Sequence, residues 1–165
     1  MRAIRILLVS GSTRGGSSNT RALQALHELG HPGVTTDLYN GLRALPAFVP
    51  DEAPPPEVDD LFNRIAAADA VVFSTPEYAG GLPGALKNLL DWTVGGGQLY
   101  GKPVAWLDVA NPGRGAGARA QLQTVLGYVG ARIVDSAGVR YLLDRPAAEQ
   151  LPAVIETLAA AAGES

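Results

Sequence analysis

The chain has 165 residues, of which 47% are hydrophobic and 18% charged, and its formal net charge is −3. These values fit one globular domain over residues 1–165 with a substantial core, and they offer no basic surface for nucleic acid or an anionic membrane. Cysteine is absent, which removes disulfides, thiolate metal sites and cysteine nucleophiles. The opening apolar run is broken at Ser10, too soon for a signal peptide or a membrane span, so the expected location is the cytoplasm.

In chain order, Ile4, Ile6, Leu7, Leu8 and Val9 read as a strand. Ala22, Leu23, Leu26 and Leu29 then mark one face of a helix that stops near Gly30. Between them, residues 10–20 read SGSTRGGSSNT, a strand-to-helix loop of small and hydroxylated residues. Its glycines let the backbone turn its N–H groups toward one point, and the helix N-terminus adds partial positive charge. Ser12, Ser17, Ser18, Asn19 and Thr20 supply side-chain donors and Arg14 a cation, so a phosphate monoester is the natural guest. A plainer reading makes Ser17 or Ser18 a helix cap and the glycines simple turn residues.

Val34, Thr36 and Leu38 alternate as in a strand at a sheet edge. Residues 40–56 are rich in proline and read as a surface excursion with little regular structure. Val58, Leu61, Phe62, Ile65 and Ala66 give the next helix its apolar face, behind acids at Glu57, Asp59 and Asp60 that suit its N-terminus. Ala70 to Phe73 reads as a strand covered on both faces. A second loop, Thr75 to Pro83, leads to a helix carrying Leu86, Leu89 and Leu90 that should end between Trp92 and Gly95. Val104 to Val109 forms another strand, and Ala110 to Gly117 a third glycine-rich loop. A helix through Ala118, Leu122, Val125, Leu126 and Val129 stops at Gly130, an extended stretch runs from Ile133 to Val139, and an amphipathic helix starts at Leu151.

Strands and helices in alternation predict an α/β three-layer sandwich, a parallel sheet with helices on both faces. In such sheets ligands bind beyond the carboxyl ends of the strands. All three polar loops follow strands, so they should gather at one edge, the first around a phosphate and the others around whatever carries it.

The motifs GSTRGGSSN at Gly11 to Asn19 and PEYAGGLPGALKNLLDW at Pro76 to Trp92 resemble those of the NADPH-dependent FMN reductases, a flavodoxin-like group that includes quinone, chromate and azo-dye reductases. The loop Asn111 to Gly117 is a looser match to the same family. The resemblance implies a five-stranded parallel sheet in the order 2-1-3-4-5 and non-covalent FMN. It places Ser12, Arg14, Ser17, Ser18, Asn19 and Thr20 at the FMN phosphate, and Pro76, Glu77, Tyr78, Ala79 and Gly80 along the isoalloxazine and ribityl chain. Asn111 and Gly113 would close the other side. Where the family commonly has asparagine, this chain has Ala79, which removes one side-chain hydrogen bond near the flavin but leaves backbone N–H groups to serve. The implied reaction is ping-pong hydride transfer from NADPH or NADH through FMN to a quinone, metal, azo or flavin acceptor, in a homodimer or homotetramer whose contact helix would run through Lys87 to Trp92. The chemistry then belongs to the cofactor, with no catalytic side chain or metal. Glu77 reads as a loop carboxylate near a helix N-terminus, and Arg114 as either a cation for the nicotinamide cofactor or a solvated charge.

Other readings meet specific obstacles. A low-molecular-weight phosphatase needs a nucleophilic cysteine, and a receiver domain needs clustered acids where this chain has Val9-Ser10-Gly11. Gly113, Gly115 and Gly117 follow a late strand without the dinucleotide-binding spacing, and no Walker lysine occurs in the first loop. His27 and His31 are separated by the helix-stopping Gly30, which argues against a metal pair. A non-catalytic FMN carrier or sensor is the alternative from another class, set apart from an enzyme by turnover with NADPH.

Overall fold

The computed structural model describes residues 2–134 and 139–164. The opening apolar run forms strand β1, Ile4–Ser10, and helix α1, Ser18–Leu29, follows the first loop. Next come β2, Val34–Tyr39; a 3-10 turn, Leu42–Ala44; α2, Pro56–Ala67; and β3, Ala70–Ser74. Then follow α3, Gly84–Gly96; β4, Pro103–Asp108; and α4, Ala116–Tyr128. Short strands β5, Arg132–Ile133, and β6, Val139–Arg140, precede helices α5, Ala147–Gln150, and α6, Pro152–Gly163.

The sheet is parallel in the order β2-β1-β3-β4-β5, as the resemblance implies. β3 lies inside it, with all five residues buried, whereas β2 is at the edge, pairs among the described strands only with β1, and exposes Thr35 and Asp37. The extended stretch expected from Ile133 to Val139 falls partly on residues 135–138, outside the described ones. Its flanks, β5 and β6, both run parallel to β4, at Val104 and at Leu107 and Asp108 respectively.

Alternation along β1 sends Leu7 and Val9 to one face and Ile6 and Leu8 to the other. The first pair packs with Leu61 and Ile65 of α2, Leu86 and Leu89 of α3, and Leu122 and Leu126 of α4. The second packs with Leu23 and Leu26 of α1 and Val154, Ile155 and Leu158 of α6. Each such side chain removed from water contributes about 1.5–3 kcal/mol, and this is what fixes the three layers.

Three local expectations need adjustment. α3 runs to Gly96, with Gly97 at φ +65° as its cap, because buried Leu89, Leu90, Trp92 and Thr93 hold its face to the core and outweigh the weak propensity of the glycines. Ala66 of α2 is exposed, and the face is completed by Ala68 just beyond the helix. The proline-rich excursion is also tied down. Asn88 of α3 accepts the Phe48 N–H at 2.8 Å and donates to the Pro46 carbonyl at 2.9 Å, and Trp92 Nε1 donates to the same carbonyl at 3.0 Å. The rings of Phe48 and Trp92 meet edge to face at 5.0 Å, so Trp92 is buried by its own chain.

Candidate functional site

The strand order turns between β1 and β3, where the connections leaving the two strands diverge and open a crevice at their carboxyl ends. A cleft of about 420 Å³ lies there. Ser12, Arg14, Ser17, Ser18 and Asn19 line it from the first loop and the start of α1, and Pro76, Glu77 and Tyr78 from the second loop. Asn111 and Arg114 line it from the third. Thr75, Val109, Ala110, Gly115 and Leu143 complete the lining. Of these, Thr75, Ala110 and Gly115 belong to loops already singled out, while nothing in the sequence pattern marks Val109 or Leu143. Thr20, Ala79, Gly80 and Gly113 adjoin the cleft without lining it. A larger cleft of about 610 Å³ lies beside the amino-terminal parts of β1 and β2 and the end of α2, away from all three loops. Volume therefore does not single out the site; loop convergence does.

The first loop divides its labour. Ser17 caps α1, its Oγ accepting the Thr20 N–H at 3.1 Å, so the capping reading of this serine holds. The Thr20 hydroxyl lies 2.9 Å from both Ser10 Oγ and Ser17 Oγ, drawing the loop onto the strand end. Buried Asn19 donates to Ser74 Oγ at 3.1 Å, and Ser74 donates to the Leu107 carbonyl at 2.9 Å, which joins α1, β3 and β4 in one chain of bonds. Ser12 Oγ accepts the Arg14 N–H at 3.2 Å. The side chains of Arg14 and Ser18 make no hydrogen bond or ion pair among the described residues and face the cleft rim. Gly11 lets the first two loops close on each other, since a Cβ there would stand 2.6 Å from Thr75 Oγ1.

Charge at the site favours an anion. Residues 11–17 contain no acid, and neither does the first turn of α1, whose dipole points its positive end into the loop. The nearby carboxylates are engaged elsewhere. Glu77 Oε2 accepts the N–H of Ala118 at 3.0 Å, so it serves the N-terminus of α4, 41 residues along the chain, and not that of α3, the helix its own loop opens. Asp108 pairs with Arg119 and accepts the Ala110 N–H at 2.9 Å. Arg114 faces the cleft from the third loop.

Tyr78, 51% exposed, stands at the mouth of the cleft on a tight hairpin. Its N–H and carbonyl bond reciprocally with Gly81 at 3.0 and 3.1 Å, and the two residues between have positive φ, Ala79 at 50° and Gly80 at 78°. That is a type I′ turn. The site therefore joins a donor-rich, positively polarised end to a wall edged by Pro76 and Tyr78, an arrangement suited to a phosphate attached to a flat group. His27 and His31 lie apart from it, against Thr36 at 2.7 Å and toward Glu156 at 3.8 Å. No described helix is long and apolar enough to cross a membrane.

Comparison with known proteins identifies the family. The family described as NADPH-dependent FMN reductase matches residues 4–140. An NAD(P)H-dependent FMN reductase of Pseudomonas aeruginosa is 40% identical over 123 residues, which span 72% of this chain and 65% of that protein, just under two thirds of its length. A quinone reductase of Escherichia coli K12 is 30% identical over 140 residues, covering 80% of this chain and 74% of that one. Among solved structures, the flavoenzyme NAD(P)H:(acceptor) oxidoreductase FerB of Paracoccus denitrificans superposes with a TM-score of 0.72 at 30% identity, over 81% of this chain and 76% of its own. With a match over most of its length and the sheet order already described, this chain belongs to the NADPH-dependent FMN reductase family of flavodoxin-like oxidoreductases.

Proposed function

We propose that the cleft holds FMN and that the protein passes reducing equivalents from NADPH or NADH to a small-molecule acceptor of the quinone, metal, azo or flavin type. The observation that carries this reading is the convergence, at the β1/β3 crevice, of an acid-free loop bearing Ser12, Arg14 and Ser18 with a wall formed by Pro76 to Tyr78. The donor set suits a phosphate monoester, because Arg14 and Ser18 have no side-chain partner among the described residues and the dipole of α1 adds to their pull. When bound, FMN supplies reversible hydride acceptance and delivery.

The protein's own part is to hold and to expose. Arg14, Ser12 and Ser18 would anchor the phosphate, Pro76, Glu77 and Tyr78 would flank the ring system, and Asn111 would close the opposite side, with the adjoining turns at Ala79, Gly80 and Gly113 supporting these walls. Glu77 is bound to the start of α4 through the Ala118 N–H and holds the loop in place. The family resemblance implies a ping-pong order, in which the nicotinamide donor would leave before the acceptor enters, and the open cleft is compatible with such successive occupancy. Relatives named for FMN and quinone reduction support this acceptor class.

The test is a visible spectrum of the full chain after FMN addition and desalting, followed by anaerobic NADPH or NADH and then a quinone. A retained flavin band that bleaches and returns on quinone addition is the expected result. Retention without bleaching by either nucleotide means a carrier or sensor, and absence of FMN binding overturns the reading. Replacing Arg14 by alanine removes a charged contact of about 1.5–3 kcal/mol, so FMN should bind roughly 10- to 100-fold more weakly by fluorescence titration. Unchanged affinity would move the phosphate elsewhere.

A further inference from the structure

The second loop keeps its shape and its position by different means. Its shape comes from within, through the paired bonds of Tyr78 and Gly81. Its position comes from α4. That helix begins at Gly115, φ +82°, which offers no capping side chain, and its first turn contains no acid. Glu77 fills this role from the second loop by accepting the Ala118 N–H at 3.0 Å. One turn further along, Gln121 Oε1 accepts the backbone N–H of Leu82 at 2.6 Å. Between these bonds Gly117 lies directly on Gly80, and a Cβ at 117 would collide with the Gly80 carbonyl oxygen. Gly81 is close to the same face, since a Cβ there would stand 2.6 Å from Gln121 Oε1 and displace that side chain. Gly117 and Gln121 are four residues apart, on the same face of α4. The loop is thus held onto one face of the helix at its entry, tip and exit.

The geometry points to Gln121, acting with Glu77, as a positioning residue that fixes the Pro76 to Tyr78 wall against the third-loop side of the cleft. Gln121 does not line the cleft, so its influence on any ligand passes through Leu82 and the loop. This inference rests on the reading of the cleft as the flavin site. Without the Gln121 acceptor, the exit of the loop loses its only side-chain bond to α4 among the described residues, while the Tyr78 to Gly81 turn stays closed. The loop keeps its form, its placement loosens, and a flat ligand against it dissociates faster. Gln121 is an exposed helix residue, but its replacement leaves the Leu82 N–H without this acceptor, so the apo fold loses some stability as well.

The experiment compares wild type, Gln121→Leu and Gln121→Glu as full chains. FMN affinity and the residual fluorescence of the bound flavin are measured beside the apo melting temperature. Leucine should weaken FMN binding at least tenfold and leave the bound flavin less quenched, with a loss of apo stability smaller than the loss of binding free energy. Glutamate keeps an acceptor oxygen and should return affinity to within about threefold of wild type. Gly117→Ala, which forces Gly80 outward, should weaken binding at least as much and provides an independent arm if the leucine variant folds poorly. A leucine variant with wild-type affinity and quenching overturns the inference, as does a glutamate variant no better than leucine, or an affinity loss matched by an equal loss of apo stability. A wild type that retains no FMN overturns the flavin reading and this inference with it. A wild type that retains FMN beside an unaffected leucine variant overturns the inference alone.

Discussion

Ala79 holds a backbone conformation that its own side chain disfavours. At φ +50° it is the first central residue of a type I′ turn, a position that suits asparagine or glycine, and an L-residue with a Cβ loses about 1–2 kcal/mol there. Asparagine at this point would thus have a backbone reason, separate from any contact its amide could make with a ligand. Either Ala79→Asn or Ala79→Gly should therefore raise the stability of the apo protein by about 0.5–1 kcal/mol, or roughly 1–4 °C in melting temperature. Urea denaturation of the three proteins is the check. An alanine form as stable as both variants would mean that the turn carries no strain.

At the scale of elements, the sequence discloses what local chemistry controls and conceals what distant partners control. Gly11 to Thr20 is legible because glycines, hydroxyls and a following helical period stand together in one stretch. The sheet order was likewise within reach once the motifs resembled a family. The destination of the Glu77 carboxylate was not, since its partner is 41 residues away and is a backbone N–H that carries no residue signature. The same holds for Gln121 and Leu82, 39 residues apart, and for Asn88 with Phe48 and Pro46. That last set yields an element-level prediction. Asn88 satisfies two backbone groups of the proline-rich segment, and each bond contributes about 0.5–1.5 kcal/mol net. Asn88→Ala should cost about 1–3 kcal/mol in urea denaturation and expose the segment to proteolysis first, while FMN affinity stays at the wild-type level. Loss of flavin in step with the segment would mean that residues 46–48 support the cleft as well.

For the whole molecule, alkaline pH offers a test of how the β2 end is packed. The Tyr39 ring is buried, 5% exposed, with its hydroxyl so near Gly41 that a Cβ there would stand 2.6 Å from it. Burial first, and the Asp60 carboxylate second, push its pKa up to about 12 from the usual 10.0. A raised folded-state pKa means that the folded chain keeps a proton which the unfolded chain releases. The associated stability is complete below pH 10 and disappears as pH rises through about 12. The loss amounts to about 1.4 kcal/mol by pH 11 and on the order of 2–3 kcal/mol once both states are ionised. Lys102 runs the other way, because burial lowers its pKa and the resulting cost fades as pH rises toward 10.5. A comparison that holds Lys102 constant therefore isolates the tyrosine. Tyr39→Phe supplies it: the stability difference between wild type and variant should be constant from pH 7 to 9 and move in favour of phenylalanine above pH 10. Denaturation curves for both chains at pH 8, 10 and 11 measure this directly. A difference that stays flat to pH 11 would mean that the Tyr39 hydroxyl ionises as freely in the folded protein as in water, and that the β2 end is more open than its packing against Gly41 indicates.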